Sequence, residues 1–319
     1  MTNRKNQLAT LHASKVLITG ASGFVGTHLT NALIGMGVQV CGLSRRVPVS
    51  QVGVQYVSAN IIDKDIINNI ISDLRPTHIF HLAASKERGN EVAGFRSSYE
   101  TNLLGTLSLL EACVRLEPSP KIISLGTCEE YGQISGPYYE NMREIPVSNY
   151  SCSKVAVSNL IQSFFLGHGL SAVVLRPSLT YGPGQGNEMF LPLLIRSLMG
   201  GLSFPMTAGE QIRDYIHVQD LVQAMLLASV NSEANGQIFN VSSAIPIRLI
   251  DLANSVADMI SPSCRGLIEI GKLPYRGGES MNYWADNKKA KDILSWDPKV
   301  TLEDGLKETV EYYRRECMG

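Results

Sequence analysis

A short apolar run followed at once by three glycines limits the folds open to this chain. Lys15–Thr19 reads Lys-Val-Leu-Ile-Thr, which is typical of a buried parallel strand. Gly20, Gly23 and Gly26 follow, and a helical pattern runs over Thr27–Met36. Strand, glycine turn and helix form the setting of a dinucleotide-binding motif, because the glycines admit a pyrophosphate beside the helix N-terminus. The spacing is Gly-x-x-Gly-x-x-Gly and not Gly-x-Gly-x-x-Gly. Three glycines alone are weak evidence, so the prediction depends on their position between a strand and a helix.

Strand and helix patterns then alternate along the chain. Strands are predicted at residues 38–43, 54–59, 78–84, 121–125 and 171–175, and helices at 63–74, 100–116, 150–168, 286–296 and 302–315. Strand-helix units in series predict an α/β fold, a doubly wound parallel sheet (Rossmann) with a smaller C-terminal substrate-binding region. We predict a dinucleotide-binding domain over 1–175 with a return segment at about 213–242, and a substrate-binding region over 176–212 and 243–319.

The composition and the sequence argue against several classes of partner and location. The net charge is -1, so no basic field indicates a nucleic acid partner. No apolar stretch is long enough to span a bilayer, which argues against a membrane partner. The six cysteines show no paired spacing and no secretory signal precedes them, so free thiols and a cytoplasmic location are predicted.

Tyr150 and Lys154 lie four residues apart in the predicted helix after the fifth strand. This spacing places a phenol and an ammonium side by side on one helix face. A neighbouring cation favours the phenolate, so such a tyrosine can exchange a proton with a substrate hydroxyl or carbonyl near neutral pH. A Tyr and a Lys at this spacing are more often a solvated surface pair, and it is their position after a nucleotide-binding start that favours catalysis.

Thr127, Cys128 and Glu129 follow the fifth predicted strand, and parallel sheets bind ligands at such strand ends. Thr127 can hydrogen-bond a reacting oxygen or serve as a cap. Glu129 can act as a base or hold a sugar hydroxyl. Cys128 can be an acid or a small apolar filler.

The end of the second strand bears on the choice of cofactor. NAD-binding proteins usually carry an acid there for the ribose 2'-hydroxyl. This chain has Ser44, Arg45 and Arg46 instead, which favours a 2'-phosphate and therefore NADP(H) over NAD(H). The alternative is that both arginines belong to a solvated loop.

Two further arginines lie in loop-like settings. Arg213 and Arg276 can grip a diphosphate, because a guanidinium presents several donors to phosphate oxygens. Surface pairing with Asp214 or Glu279 is the alternative.

With these residues laid out, the chain resembles the extended short-chain dehydrogenase/reductase family of nucleotide-sugar enzymes, also known as the NAD-dependent epimerase/dehydratase family. The resemblance runs from about Lys15 to Arg315. Its motifs are Thr19-Gly-Ala-Ser-Gly-Phe-Val-Gly26, His81-Leu-Ala-Ala84, Thr101-Asn-Leu-Leu-Gly-Thr106, Tyr150 with Lys154, Tyr181-Gly-Pro-Gly184, Arg213-Asp214 and the loop around Arg276.

The resemblance implies hydride transfer at a sugar carbon, usually C4, of a nucleotide-diphosphate sugar. It implies that Tyr150 is the acid/base, that Lys154 holds the cofactor ribose, and that Thr127 contacts the reacting oxygen. The implied catalytic residues are Thr127, Cys128, Glu129, Tyr150 and Lys154, and the implied substrate-binding residues are Thr127, Arg213 and Arg276. The implied cofactor-binding residues are Gly20, Ser22, Gly23, Phe24, Val25, Gly26, Ser44, Arg45, Asn60, Ile61, Leu82, Ala83, Ala84, Tyr150, Lys154 and Ser178. No metal ligand is predicted, and a homodimer through the helices at 100–116 and 150–168 is implied by the family.

Within the family, Ser44-Arg45 and the stretch from Asn60 to Gly132 look most like GDP-4-keto-6-deoxy-mannose reductases and related 4-ketoreductases. The sequence therefore predicts reduction of a 4-keto-6-deoxy nucleotide sugar by NADPH. A 4,6-dehydratase or a 4-epimerase that recycles its bound cofactor is the alternative. Cys128 replaces the usual acid of the dehydratases, Glu129 replaces a small residue of the epimerases, and Leu179 replaces a common substrate-contacting Asn. A non-enzymatic dinucleotide sensor is a third hypothesis.

Overall fold

The structure is a computed structural model that describes residues 8–47, 52–86 and 91–318. Its strands are β1 Lys15–Thr19, β2 Gln39–Ser44, β3 Val54–Ser58, β4 His78–His81, β5 Lys121–Leu125, β6 Ala172–Pro177, β7 Leu179–Tyr181, β8 Phe204–Pro205, β9 Ile212–Arg213, β10 Tyr215–His217, β11 Ile238–Val241, β12 Ile247–Arg248, β13 Ile268–Glu269 and β14 Asn282–Tyr283. Its α-helices are α1 Phe24–Gly35, α2 Lys64–Leu74, α3 Val92–Ser98, α4 Gly105–Cys113, α5 Asn149–His168, α6 Phe190–Met199, α7 Val218–Val230, α8 Leu249–Ile260, α9 Lys288–Leu294 and α10 Leu302–Met318.

A seven-stranded parallel sheet forms the centre of the fold, in the order β11-β6-β5-β4-β1-β2-β3. The predicted doubly wound Rossmann fold is therefore confirmed. The chain order reverses between β1 and β4, which makes a crevice at the carboxyl ends of these strands. The segments that follow β1, β4 and β5 all open at this edge.

The sheet is buried on both faces, and β1 shows why its strands read as continuous apolar runs. Val16 and Ile18 join a core with residues of α1, α7 and α9. Leu17 points the other way, into a core with residues of α2, α4 and α5. A third apolar core joins α6, α8 and α10 beside the short strands β7–β10, outside the main sheet.

The helix predicted at 100–116 differs from the observed one. Helical structure begins at Val92, continues through a π-helical stretch at Tyr99–Leu104 and ends at Cys113. The earlier start was missed because Gly94, Ser97 and Ser98 are weak helix formers, so tertiary packing against α5 outweighs local propensity here. The π-helical stretch carries Asn102, which is buried.

Two physical findings bear on the functions that the sequence excluded. Among the described residues, none of the helices has both the length and the apolar composition needed to cross a bilayer. In the same part of the chain, no three His, Cys, Asp or Glu side chains converge as a set of metal ligands.

Trp296 ties the C-terminal segment to the helix α7. Its side chain is fully buried in the α1/α7/α9 core, and its Nε1 donates to the carbonyl of Asp220 at 2.9 Å. The Asp220 carboxylate in turn accepts from the backbone amides of Lys299 and Val300 at 2.8 and 3.0 Å. Asp220 therefore anchors the chain that leads into α10.

We expect Trp296→Ala to lower the free energy of unfolding by about 3–5 kcal/mol, because it leaves a large cavity in the core. Trp296→Phe keeps most of the packing and loses the hydrogen bond, so it should cost about 1–2 kcal/mol. Urea unfolding followed by circular dichroism measures both. Equal losses for the two variants would contradict the assignment of most of the stabilisation to packing.

Candidate functional site

The glycine turn after β1 has the shape that a dinucleotide needs. Gly20 has φ +73°, and a Cβ there would lie 2.8 Å from the backbone nitrogen of Ala83. A Cβ on Gly26 would lie 2.4 Å from the carbonyl oxygen of Gly20. Both positions therefore require glycine, the first for its backbone conformation and the second for close packing of α1 on the turn. The N-terminus of α1 follows at Phe24, where its unpaired amides favour an anion.

The end of β2 is bonded directly to this turn. The amide of Gly20 donates to the carbonyl of Leu43 at 2.8 Å, and the amide of Ser22 donates to the Ser44 hydroxyl at 3.0 Å. Ser44 is buried by this contact, whereas Arg45 and Arg46 are exposed. Arg45 and Arg46 both line the cleft that begins at the glycine turn.

A cleft of about 1030 Å³ extends from the glycine turn across the carboxyl edge of the sheet. Most of the predicted site residues line it. These are Gly20, Ser22, Gly23, Phe24, Val25, Gly26, Ser44, Arg45, Asn60, Ile61, Leu82, Ala83, Ala84, Thr127, Glu129, Tyr150, Lys154 and Ser178. Residues far apart in the sequence thus meet around one space.

Tyr150 and Lys154 enter the cleft from the first two turns of α5. Ser148 caps this helix with its side chain, which accepts from the amide of Ser151 at 3.1 Å. Lys154 is buried, and its Nζ donates to the carbonyl of Leu125 at the end of β5 at 2.5 Å. Burial lowers the pKa of Lys154 to about 8, while Glu130 raises it and Lys86 lowers it.

Three consecutive residues of the turn after β5 have different surroundings. Thr127 and Glu129 line the cleft, whereas Cys128 is fully buried among tyrosines and its Sγ donates to the carbonyl of Arg176 at 3.3 Å. Burial raises the pKa of Cys128 well above its usual value. The structure therefore corrects the prediction of Cys128 as a catalytic acid, because the thiol is a core filler that does not reach the cleft.

Arg213 and Arg276 also lie outside the lining of the cleft, unlike the other predicted ligands. The Arg213 guanidinium pairs with Glu279 at 2.8 Å and donates to the carbonyl of Ser280 at 2.8 Å. Arg276 is exposed, and its backbone amide donates to the same Glu279 carboxylate at 3.2 Å. In this structure Glu279 therefore holds Arg213, which corresponds to the surface-pairing alternative.

A buried chain of hydrogen bonds runs behind the cleft from β4 to the Tyr150 helix. His81 bonds Thr19 at 2.8 Å through Nδ1 and Thr106 at 2.9 Å through Nε2. Asn102 in the π-helical stretch donates to the Ser153 hydroxyl at 2.8 Å, one residue before Lys154. Burial lowers the pKa of His81 to about 3, and the Lys154 cation acts in the same direction. His81 is therefore neutral in the native protein at ordinary pH.

Sequence reasoning missed several residues on the side of the cleft away from the glycine turn. They are Thr180, Gln185, Glu188, Met189, Phe190, Tyr215 and Tyr283. Tyr283 comes from β14, and a hydrogen bond with Thr127 acts against the burial that raises its pKa. The Tyr181-Gly-Pro-Gly184 motif gave the only sequence signal close to Gln185 and Glu188. Leu179, noted for replacing a common Asn, also lines the cleft.

Comparison with known proteins adds to this geometry. A sequence model described as the NAD dependent epimerase/dehydratase family matches residues 16–242. The dTDP-glucose 4,6-dehydratase of Streptomyces niveus is 28% identical over 319 residues, which cover 94% of this chain and 93% of the relative.

Two solved structures share the whole fold. A UDP-glucose 4-epimerase from Thermotoga maritima, solved with UDP-glucose, has a TM-score of 0.87 at 29% identity and covers 95% of this chain and 99% of its own. A dTDP-glucose 4,6-dehydratase from Streptomyces venezuelae, solved with NAD, has a TM-score of 0.85 at 25% identity and covers 94% of this chain and 97% of its own.

The neutral state of His81 predicts a dependence of stability on pH. Its folded pKa of about 3 lies below the ~6.5 of an unfolded histidine, so between these values the unfolded chain binds the extra proton. His81 should therefore lower the free energy of unfolding by roughly 1.4 kcal/mol for each pH unit below about 6.5.

Urea unfolding of the wild type and of His81→Gln at pH 7 and pH 5 isolates this contribution. Glutamine keeps groups for hydrogen bonding and cannot take up the proton, so its stability should fall less steeply with acid. Parallel pH dependences in the two proteins would refute a neutral His81.

Proposed function

The chain belongs to the NAD dependent epimerase/dehydratase family of enzymes, and from that premise we propose that it oxidises and re-reduces a nucleotide-diphosphate sugar at C4. Because the oxidation and the reduction cancel within one turnover, this reaction would need no added reductant. The observation that carries the proposal is one cleft that joins the glycine turn after β1 to Thr127, Tyr150 and Lys154.

The residues present fit a dinucleotide. The glycine cradle at Gly20 and Gly26 and the N-terminus of α1 would hold the pyrophosphate. Ala83 and Ala84 leave room beside the cradle, and Lys154 would hold a ribose. When bound, the nicotinamide supplies the hydride acceptor and, in its reduced form, the hydride donor.

Tyr150 takes the proton from the sugar hydroxyl as the carbonyl forms and returns it when the carbonyl is reduced. The Lys154 ammonium stabilises the phenolate that this exchange requires. Thr127, held at the turn after β5, donates a hydrogen bond to the reacting oxygen. These roles follow from the family resemblance and from the shared cleft.

Epimerisation at C4 is the reaction that the geometry supports best. Dehydration at C5 and C6 needs an acid that expels a hydroxyl, and Cys128 is buried away from the cleft with its pKa raised. Epimerisation needs no such acid. The second candidate is 4,6-dehydration, favoured by Glu129 in the cleft and by the dehydratases among the relatives. The 4-ketoreductase favoured by sequence has less support from the relatives, and an external requirement for NADPH would restore it.

We propose segments 176–212 and 243–319 as the nucleotide-sugar region, because Thr180, Gln185 and Tyr283 from these segments line the side of the cleft away from the glycine turn. For Arg213 to bind a diphosphate, its pair with Glu279 has to open or rearrange. Arg276 lies on the same loop as Glu279, which pairs with Arg213. If this loop moves, a bound diphosphate can accept hydrogen bonds from both guanidinium groups. A homodimer through the helices at 100–116 and 150–168 stays a prediction.

The proposed reaction can be tested directly. Purified protein incubated with UDP-glucose or dTDP-glucose and no added reductant should give a product of unchanged mass with inverted configuration at C4. Tyr150→Phe should lower kcat by about 10²–10⁴-fold through loss of the proton exchange. Mass spectrometry and proton NMR of the sugar provide the readout. A product lighter by one water would select dehydration, and strict dependence on added NADPH would select reduction.

The identity of the bound dinucleotide can be tested separately. The relatives support NAD, whereas Arg45 and Arg46 at the cleft support NADP. We propose NAD as the resident cofactor, so mass spectrometry of nucleotide released from denatured protein should find NAD+. Arg45→Ala/Arg46→Ala should then leave NAD binding within about twofold. A loss of tenfold or more in NADP affinity, about 1.4 kcal/mol, together with NADP in the released fraction, would instead establish a 2'-phosphate contact.

A further inference from the structure

Two adjacent glutamates after β5 have opposite surroundings. Glu129 lines the cleft, whereas the side chain of Glu130 is fully buried and points away from it. The Glu130 carboxylate accepts hydrogen bonds from the Thr127 amide at 2.8 Å, the Ser158 hydroxyl at 2.8 Å and the Arg176 Nε at 2.8 Å. The proposed mechanism gives Glu130 no task, so these contacts need a separate explanation.

The carboxylate joins three elements of the site. Thr127 belongs to the turn after β5, and Arg176 belongs to β6. Ser158 lies on α5 four residues after Lys154, on the same face of the helix. Glu130 therefore fixes the distance between the threonine at the turn and the helix that carries Tyr150 and Lys154.

The residues around the Glu130 carboxylate provide both the space and the charge that it needs. A Cβ on Gly126 would lie 2.4 Å from the Glu130 Oε1, so only glycine before Thr127 leaves space for the carboxylate. Arg176 is fully buried as well, and its Nη2 bridges Glu130 at 2.7 Å and Glu144 at 2.6 Å. Without this guanidinium a buried carboxylate would be unstable in its charged form.

The charge of Glu130 also acts on Lys154. Among the residues that the structure describes, the charged and titratable groups around Lys154 are Glu130 from the turn, Lys86 after β4, His81 from β4 and Tyr150 on its own helix. Glu130 is the acid among them, and it favours the ammonium that burial disfavours. Lys86 opposes the ammonium and His81 is neutral.

We propose that Glu130 is a positioning residue, which holds Thr127 in register with the Tyr150 helix and keeps Lys154 cationic in the working enzyme. This inference rests on the proposed roles of Thr127 and Lys154. In this role Glu130 contacts neither substrate nor cofactor, and it affects the reaction through Thr127 and Lys154.

The test compares Glu130→Gln with Glu144→Gln. Both remove one carboxylate from Arg176, but the described side-chain contacts of Glu144 are with Arg176 alone and reach neither Thr127 nor Ser158. NMR of protein labelled with ¹³C at the lysine Cε carbon, with Lys154 assigned through Lys154→Met, follows the ammonium without any substrate.

We expect the Lys154 titration, near pH 8 in the wild type, to move down by at least about half a pH unit in Glu130→Gln and to stay in place in Glu144→Gln. The alkaline limb of the kcat profile should move down by the same amount, because the ammonium is lost at lower pH. Ser158→Ala removes one hydrogen bond to Glu130 and keeps all charges. It should therefore lower kcat several-fold without moving the alkaline limb of the pH profile. If Glu130→Gln does not fold, this variant still tests the positioning role.

An unchanged Lys154 titration in Glu130→Gln, or an equal shift in Glu144→Gln, would overturn the electrostatic role. Wild-type kcat in Ser158→Ala would overturn the positioning role. The NMR titration needs no turnover, so it stands even if the enzyme proves to be a reductase or a dehydratase.

Discussion

The buried pair of Glu130 and Arg176 is the interaction on which the arrangement of the site depends. Both side chains are fully buried, so neither charge has water to stabilise it. Removing one partner of such a pair typically costs about 3–5 kcal/mol, because the other charge is left unpaired. The pair therefore holds the end of β6, the turn after β5 and α5 in one arrangement. Two neighbouring residues fit this pair. Gly126 has no side chain and so leaves space for the Glu130 carboxylate, and the backbone amide of Thr127 donates a hydrogen bond to it.

The rest of the site follows from the order of strands in the sheet. The order of the parallel strands reverses between β1 and β4, so the segments after β1, β4 and β5 lie around one crevice. The glycine turn brings the helix dipole of α1 to this crevice, and α5 brings Tyr150 and Lys154 from the other side. Behind them, His81 and Asn102 connect β4 to α5 by hydrogen bonds, which satisfies buried polar groups. The polar residues of the motifs thus serve rigidity as well as binding.

The sequence allowed the fold and most of the cleft to be predicted, because their signals are local. A strand followed by Gly20, Gly23 and Gly26 has few structural solutions, and Tyr150 with Lys154 depends only on helical spacing. Side-chain direction in the short 3-10 turn at Cys128–Glu130 is different, because it depends on what packs around the turn. The sequence therefore could not separate Cys128 and Glu130, which are buried, from Glu129, which reaches the cleft. Tyr283 was missed for a similar reason, since a two-residue strand leaves no pattern.

The burial of Cys128 and the charge of Glu130 are physically linked. Burial raises the pKa of the thiol most, and among the described residues around it Asp214, Glu130 and Glu140 also raise it while the Arg176 guanidinium lowers it. That guanidinium is already shared by Glu130 and Glu144. An acid at position 128 would place a further carboxylate beside one buried cation, and like charges at such short distance keep one of them protonated. A neutral side chain is therefore what this turn accommodates beside Glu130. At this position the chain carries a buried thiol with a raised pKa, which lies outside the lining of the cleft, and this supports our proposal of a reaction that begins and ends at C4.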